Sequence, residues 1–216
     1  MSTTAPNATA PNTSVRRLAE RARHDRDGVD AILDAAYVAH VGVVVDGAPV
    51  VIPYACARVG DELVLHGSTK AGILSSAASG ARVCATVTHI DGLVLARSAF
   101  HSSMNYRSAV VHGTARVVDD PAEKVRLLDA LVDRLLPGRR AGICGMTQGE
   151  LDATQVVALA LDHVSAKVRT GGPTEPPEDR DASVWGGIIP LALTPGTPQP
   201  DDVTAAGVVP PNVPSA

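Results

Sequence analysis

With 216 residues, 45% of them hydrophobic, the chain is long enough for one domain with a sizeable core. A formal net charge of −4, with one Trp, one Phe and three Tyr, supplies neither a basic surface for nucleic acid nor a base-stacking platform. Three widely spaced cysteines (Cys56, Cys84, Cys144) without a C-x-x-C pair argue against a disulfide framework or a zinc site and fit a reducing, cytoplasmic setting.

The opening residues MSTTAPNATAPNTS hold nothing that buries a core and lack the pattern of a secretory signal, so 1–14 reads as a disordered arm. A basic stretch follows (Arg16, Arg17, Arg21, Arg23, Arg26), diluted by Glu20 and Asp25; it reads as a solvated helix face ahead of a polyanion contact. Val29, Ile32, Leu33 and Ala36 are spaced for a helix over 27–37 with Asp27 as its cap. Two Val-rich runs, 41–45 and 50–57, flank Asp46-Gly47, the strongest short hairpin signal because a type I′ turn needs positive φ. Gly60-Asp61 turns into a strand at 62–66, and a helix over 69–79 ends at Gly80. Strands are predicted at 82–88 and 93–97 about an Asp91-Gly92 turn, then at 109–118. The helix over 121–136 has Asp120 as cap, Pro121 in its first turn, Glu123 to complete a capping box, and Pro137-Gly138 to stop it. One last strand runs from 156 to about 165, and the Pro-rich stretch 194–216 reads as a disordered tail. No apolar run approaches the roughly 18 residues of a membrane span. Strands joined by short turns, with a few helices, predict an α+β fold built on an antiparallel barrel in a domain over 15–193.

Three segments are more polar than such a barrel requires. His66-Gly67-Ser68-Thr69-Lys70 lies where a strand meets a helix; its hydroxyls, cation and free N–H groups suit a phosphate, and equally a plain capped helix. Phe100-His101-Ser102-Ser103-Met104-Asn105-Tyr106-Arg107-Ser108 reads as a donor-rich loop in which Arg107 can grip an anion, or as an ordinary polar loop. Val184 to Leu191 carries the single Trp185, placed either against a planar ligand or partner, or as a pin for the C-terminal segment. His66, His101 and His112 match no zinc pattern, and no Gly-x-Ser-x-Gly elbow marks a hydrolase.

The ordered set Ala31-Ile32-Leu33-Asp34, His40-Val41-Gly42, Asp46-Gly47-Ala48-Pro49-Val50-Val51-Ile52-Pro53, His66-Gly67-Ser68, Asp91 to Ser98, Phe100 to Ser108 and Ser165-Ala166-Lys167-Val168-Arg169 resembles the pyridoxamine 5′-phosphate oxidase-like flavoproteins, in the branch of the nitroimidazole-resistance reductases. The hairpin signals and capped helices predict a six-stranded antiparallel barrel, and the resemblance implies a split β-barrel with flanking helices, a homodimer, and FMN bound between subunits. It makes His66, Ser68, Thr69, Lys70, Asn105, Tyr106, Arg107, Ser108 and Trp185 candidate cofactor-binding residues. It implies a flavin-dependent oxidoreductase acting on a small molecule. Similar barrels bind haem or a deazaflavin, and the alternative is a non-catalytic flavin- or haem-binding storage or sensor protein. The C-terminal Arg-x-His segment with which true pyridoxamine phosphate oxidases hold their substrate is missing from the sequence.

Overall fold

The computed structural model describes residues 13–14, 17–23, 25–70, 72–181 and 183–211. Most of the N-terminal arm, Arg16 and residues 212–216 lie outside that set. Residues 191–211 have no helix or strand and are exposed throughout.

In chain order the elements are β1 (Ala22–Arg23), α1 (Arg26–Asp34), β2 (Val38–Val45), β3 (Ala48–Val59), β4 (Glu62–Ser68), α2 (Gly72–Ala78), β5 (Arg82–Leu95), β6 (Ser103–Thr114), β7 (Arg116–Val117), α3 (Pro121–Leu135), α4 (Gln148–Ala153), β8 (Thr154–Ala160), β9 (Val164–Arg169) and β10 (Gly187–Pro190). Every strand pairing is antiparallel, in the order β1-β9-β6-β5-β2-β3-β4-β8-β7, with β10 added to β5. β8 and β9 are consecutive in sequence yet lie near opposite ends of this order, so the sheet curls round into a split barrel. The fold is thus the α+β barrel expected, with seven strands of six residues or more rather than six strands in all.

Alternation explains the core. Val41, Val43, Ala85, Val87, Ala109, Val111, Leu63, Leu65, Val157 and Leu159 face inward and are all buried. Burying each Val or Leu side chain of this set contributes about 1.5–3 kcal/mol, and each Ala less. α1 lays Val29, Ile32 and Leu33 on this cluster. A second cluster lies on the other side of the β3-β4-β8 sheet, where Ala57, Val64, Val156 and Ala158 meet Leu127, Leu128 and Leu131 of α3.

Several local expectations are corrected. Asp46 and Gly47 turn with φ of 49° and 80°, as a type I′ hairpin needs, but Asp91-Gly92 does not turn. It is a bulge inside the single strand β5, where the register against β6 shifts between Ile90 and Gly92. A Cβ on Gly92 would lie 3.1 Å from the Ile189 carbonyl and 3.2 Å from Ile188 Cγ2, so the glycine there admits β10. The predicted polar loop 100–108 is mostly strand: β6 starts at Ser103. The predicted last strand is two, β8 and β9, split at 161–163. α1 is capped by Asp25, whose side chain accepts from the Gly28 N–H, and stops at Asp34. Asp120 caps α3, but the Glu123 carboxylate turns to Arg116 instead of closing a capping box. The capping box of this chain is at Thr147 and Glu150, opening α4 in a segment with no predicted helix. The basic stretch is not one helix face: among its described residues Arg21 ends the 3₁₀ turn Ala19–Arg21, Arg23 lies on β1 and Arg26 opens α1. No helix among the described residues is long and apolar enough to cross a membrane.

Candidate functional site

Paired residues on neighbouring antiparallel strands project to the same face. Val87, Ala109 and Ala166 face the core, so the next pairs, Thr88–Ser108 and Ser108–Lys167, face outward. Two residues on, Ile90–Tyr106 and Tyr106–Arg169 face outward too; two residues back, Thr86 opposes Val110 and Val110 opposes Ser165. The outer face of β5-β6-β9 therefore carries hydroxyls and cations (Thr86, Thr88, Ser108, Tyr106, Lys167 and Arg169), with Ile90 and Val110 among them. It continues across β2 and β3 as His40, Val44 and Val51, the two valines 64% and 63% exposed. No outward position on β9, β6, β5, β2 or β3 is Asp or Glu, a strong segregation in a chain of net charge −4.

Arg169 is the unusual member. It is 7% exposed, and its guanidinium donates to three neutral oxygens: Asn105 Oδ1 at 2.6 Å and the carbonyls of Gly171 and Gly172, each at 3.1 Å. No carboxylate pairs with it among the described residues, and the residues outside that set contain neither Asp nor Glu. Burial, and then the charge of Arg21, push its pKa down. A buried cation normally acquires a counter-ion; this one has hydrogen bonds but no negative charge.

The sequence-predicted residues divide into separate places. Tyr106 and Ser108 stand on the outer donor patch. Ser108 Oγ donates to the Lys167 carbonyl at 3.4 Å. Asn105 is buried and serves Arg169. Arg107 faces the other way, beside His89, whose Nε2 lies 2.9 Å from the Ile32 carbonyl of α1. Its guanidinium forks onto Asp91, Nε to Oδ2 at 2.9 Å and Nη2 to Oδ1 at 2.8 Å. That hydrogen bond holds the Asp91 carboxyl below its usual range. The expected anion grip of Arg107 is thus occupied by a side chain of the same strand pair.

His66, Ser68, Thr69 and Lys70 lie on and just after β4, separated from β6 in sheet order by β3, β2 and β5. Ser68, Thr69 and Lys70 are exposed, and Ser68 Oγ accepts from the Lys70 N–H at 3.2 Å. His66 lines a cavity of about 240 Å³ under α3, with Ala55, Cys56, Leu128, Leu131, Val132, Leu135, Met146 and Thr154. Its Nδ1 is shut off from solvent with no hydrogen-bond partner. Burial pushes the imidazole pKa down, and pushes the Cys56 thiol up to about 11.

Trp185 is 62% exposed on a strap running from Glu175 to β10. The strap is fastened by Glu175, itself 6% exposed, which accepts from the Arg97 N–H and from Arg97 Nη1 at 2.9 Å. Arg97 Nε reaches the Asp181 carbonyl at 2.9 Å, and a Cβ on Gly186 would sit 2.7 Å from Arg97 Nη1. Arg97 thus holds the strap, with its guanidinium lying against Gly186. The strap then pairs with β5 opposite Gly92 to Leu95.

Lys167, Arg169, Thr86 and Thr88 escaped the sequence reading as site residues. Their signal was present: Ser165-x-Lys167-x-Arg169 and Thr86-x-Thr88 put a polar side chain at every second position of strands whose other face is Ala and Val.

Comparison with known proteins bears on what such a barrel does. A pyridoxamine 5′-phosphate oxidase family profile matches residues 25–168. No curated protein matches the chain. Among solved structures, the FAD and haem binding protein of Mycobacterium smegmatis is 43% identical, covering 88% of this chain and 94% of its own, with a TM-score of 0.84. The flavocytochrome Anf3 of Azotobacter vinelandii is 37% identical over 94% of each chain, with a TM-score of 0.87. A 5-nitroimidazole antibiotic resistance protein of Bacteroides thetaiotaomicron, at 22% identity and a TM-score of 0.58 over 68% of this chain and 86% of its own, shares the fold. The profile match spans the barrel from α1 through β9, and the chain belongs to the pyridoxamine 5′-phosphate oxidase family.

Proposed function

We propose that the chain is a flavin-binding redox protein that holds the flavin phosphate on the outer donor patch of β5-β6-β9 and, like its relatives from Mycobacterium and Azotobacter, also carries haem. The observation that supports this best is Arg169: a buried, hydrogen-bonded cation without a counter-ion, amid hydroxyls of Tyr106, Ser108 and Thr88 and the ammonium of Lys167. A phosphate bearing close to two negative charges supplies the charge that this face lacks. FMN is the smallest flavin nucleotide that meets the requirement; FAD, which the Mycobacterium relative binds, meets it with a second phosphate. The exposed valines beside the patch are proposed to be covered by a second copy in an isologous dimer, so that the flavin lies between subunits. Redox turnover of a small molecule in the cytoplasm is the accompanying reading.

The experiment is titration of apo-protein with FMN and with FAD, followed by flavin fluorescence quenching. Saturable binding at one flavin per chain is expected, with light scattering giving twice the 22.2 kDa of one chain. Absence of saturable binding of either flavin overturns the proposal. Reduction of the bound flavin by NADH or NADPH, with turnover by an acceptor, marks an oxidoreductase; a bound flavin that never cycles marks a storage or sensor protein.

A further inference from the structure

Arg169 is also the point at which the chain leaves the barrel. β9 ends there, and the segment that runs on to the strap and β10 begins with Gly171 and Gly172. The guanidinium turns back on that segment. Nη1 donates to the Gly171 carbonyl and Nη2 to the Gly172 carbonyl, each at 3.1 Å, while Nη1 also donates to Asn105 Oδ1 at 2.6 Å. A guanidinium carries five N–H donors in one plane. Three are engaged here, so Nε–H and one N–H of Nη2 are left over among the described residues. Nε and Nη2 form one edge of the plane, and such an edge can grip two oxygens of a phosphate at once. Arg169 Nε is not among the unpartnered polar atoms that are shut off from solvent, so this edge is open. One side chain thus holds the strap by one edge and presents another to the donor patch.

We infer that the Gly171-Gly172 backbone positions Arg169 for the flavin phosphate, and that the phosphate in turn tightens the strap. The inference rests on the proposed function, which puts the phosphate on Arg169, and it adds the element that aims the guanidinium and the response of the strap. An arginine side chain loses much rotamer freedom when it grips a ligand; holding it beforehand removes that cost from binding. Asn105 on β6 and the two carbonyls do the holding. Conversely, without an anion the guanidinium is buried among neutral oxygens, with Arg21 near enough for its like charge to act on it. A buried cation without a counter-ion is costly, so the grip on the strap is weaker when no phosphate is bound. Two partners that favour the same position of one side chain strengthen each other by the same factor. The effect travels beyond Gly172 because the strap is fastened along its length: Arg180 donates to the Glu175 carbonyl, the Glu175 carboxylate accepts from Arg97, and β10 pairs with β5. Gly171 is the place to break the link. Its φ is 104°, a conformation that L side chains rarely adopt, and a Cβ there would meet nothing within 4 Å. Gly171→Ala therefore acts on the backbone that Arg169 holds and on nothing else, and any change in ligand affinity has to pass through Arg169.

The test is amide hydrogen exchange of the full chain with FMN, with inorganic phosphate and with riboflavin, which is the same flavin without a phosphate. The amides to follow are those of Asp179 and Arg180, hydrogen-bonded within the strap to the Pro176 and Pro177 carbonyls. Saturating FMN or phosphate should slow their exchange about fivefold or more, the low end of ordinary coupling between two sites; riboflavin should leave it unchanged. In Gly171→Ala, FMN affinity should fall about fivefold or more while riboflavin affinity stays at the parent level, a split that general destabilisation would not produce. Strap exchange that ignores saturating FMN in the parent chain overturns the inference, and this measurement depends on no variant. Parent-level FMN affinity in Gly171→Ala overturns it too, as does an equal loss of FMN and riboflavin. A chain that saturates with flavin but shows no strap response loses this inference and keeps the proposed function. A chain that binds neither flavin, yet slows its strap exchange with phosphate, loses the flavin reading and keeps the coupling. Binding of neither flavin nor phosphate overturns both.

Discussion

The barrel has two outer faces, and they solve opposite problems. On β5-β6-β9 the outward positions carry hydroxyls and cations beside Ile90 and Val110, with a buried Arg169 that has no counter-ion among the described residues. On β3-β4-β8 the outward positions are Ala57, Val64, Val156 and Ala158, roofed by α3. The difference lies in what completes each face. The roofed face is finished by the chain itself, apart from one cavity around His66; on the open face the buried Arg169 finds only neutral oxygens among the described residues. A strand pattern that alternates cleanly on both sides therefore says which side is core, and the chemistry of the other side says what is still missing.

The largest effect expected is on the roofed face. Leu127 is fully buried between α3 and the sheet, so Leu127→Ala should cost about 2–5 kcal/mol of stability. Chemical denaturation measures this. If the faces are independent, flavin affinity under conditions where the variant is folded should match the parent; coupled loss of both would show that α3 supports the donor patch as well.

Arg169→Ala comes next. Loss of one charge-assisted interaction is worth about 1.5–3 kcal/mol, or roughly 10- to 150-fold in flavin affinity at 1.4 kcal/mol per decade. Fluorescence titration reads it, and Arg169→Lys should recover part of the loss because the charge returns without the planar fork. Full affinity in Arg169→Ala would move the phosphate elsewhere and reduce Arg169 to a clamp for the 171–172 backbone.

Gly92→Ala is expected to be smaller. The new Cβ would press on Ile189 O and Ile188 Cγ2 at 3.1 and 3.2 Å, an overpacking cost of about 1 kcal/mol. Because the strap can shift, faster amide exchange over 187–190 and a change in Trp185 emission should accompany it. Unchanged exchange there would mean that the bulge, not β10, requires the glycine.

Much of this was legible in the sequence, and the misses have physical causes. The hairpin at Asp46-Gly47 and the α3 helix with Asp120 and Pro121 follow from local rules and hold. Asp91-Gly92 carries the same dipeptide signal as Asp46-Gly47 but serves as a bulge, because its neighbours are fixed by pairing with β6 on one side and β10 on the other. Polar residues 103–108 read as a loop because both faces of this end of β6 are polar: Asn105 and Arg107, on the side of Ala109 and Val111, serve Arg169 and Asp91 in place of the core. Tyr106 and Ser108, grouped by sequence proximity, do share one face of β6, yet proximity also put Arg107 with them, although a strand sends successive side chains to opposite faces. The remoteness of His66–Lys70 from β6 is a matter of sheet order, which no local pattern reveals.

Arg107→Ala should have the smallest effect and divides the two arginines of the site most sharply. Arg107 and Asp91 form a bidentate pair, but their side chains are 38% and 34% exposed, so solvent screening leaves about 0–1 kcal/mol. At this chain length that is a fall in Tm of roughly 2–4 °C or less. The pH dependence has a definite sign. The Asp91 carboxyl is held below its usual range by the Arg107 hydrogen bond. A carboxyl depressed in the folded state contributes stability above its unfolded pKa of about 3.9 and loses it as pH falls through the folded value. The difference in Tm between parent and variant should therefore be present at pH 7 and shrink below about pH 4. Flavin affinity should stay at the parent level, since the guanidinium faces away from the outer patch and is already satisfied. A loss of affinity as large as that of Arg169→Ala would mean that Arg107 leaves Asp91 for the phosphate when flavin binds, and the two faces of β6 would then share one ligand.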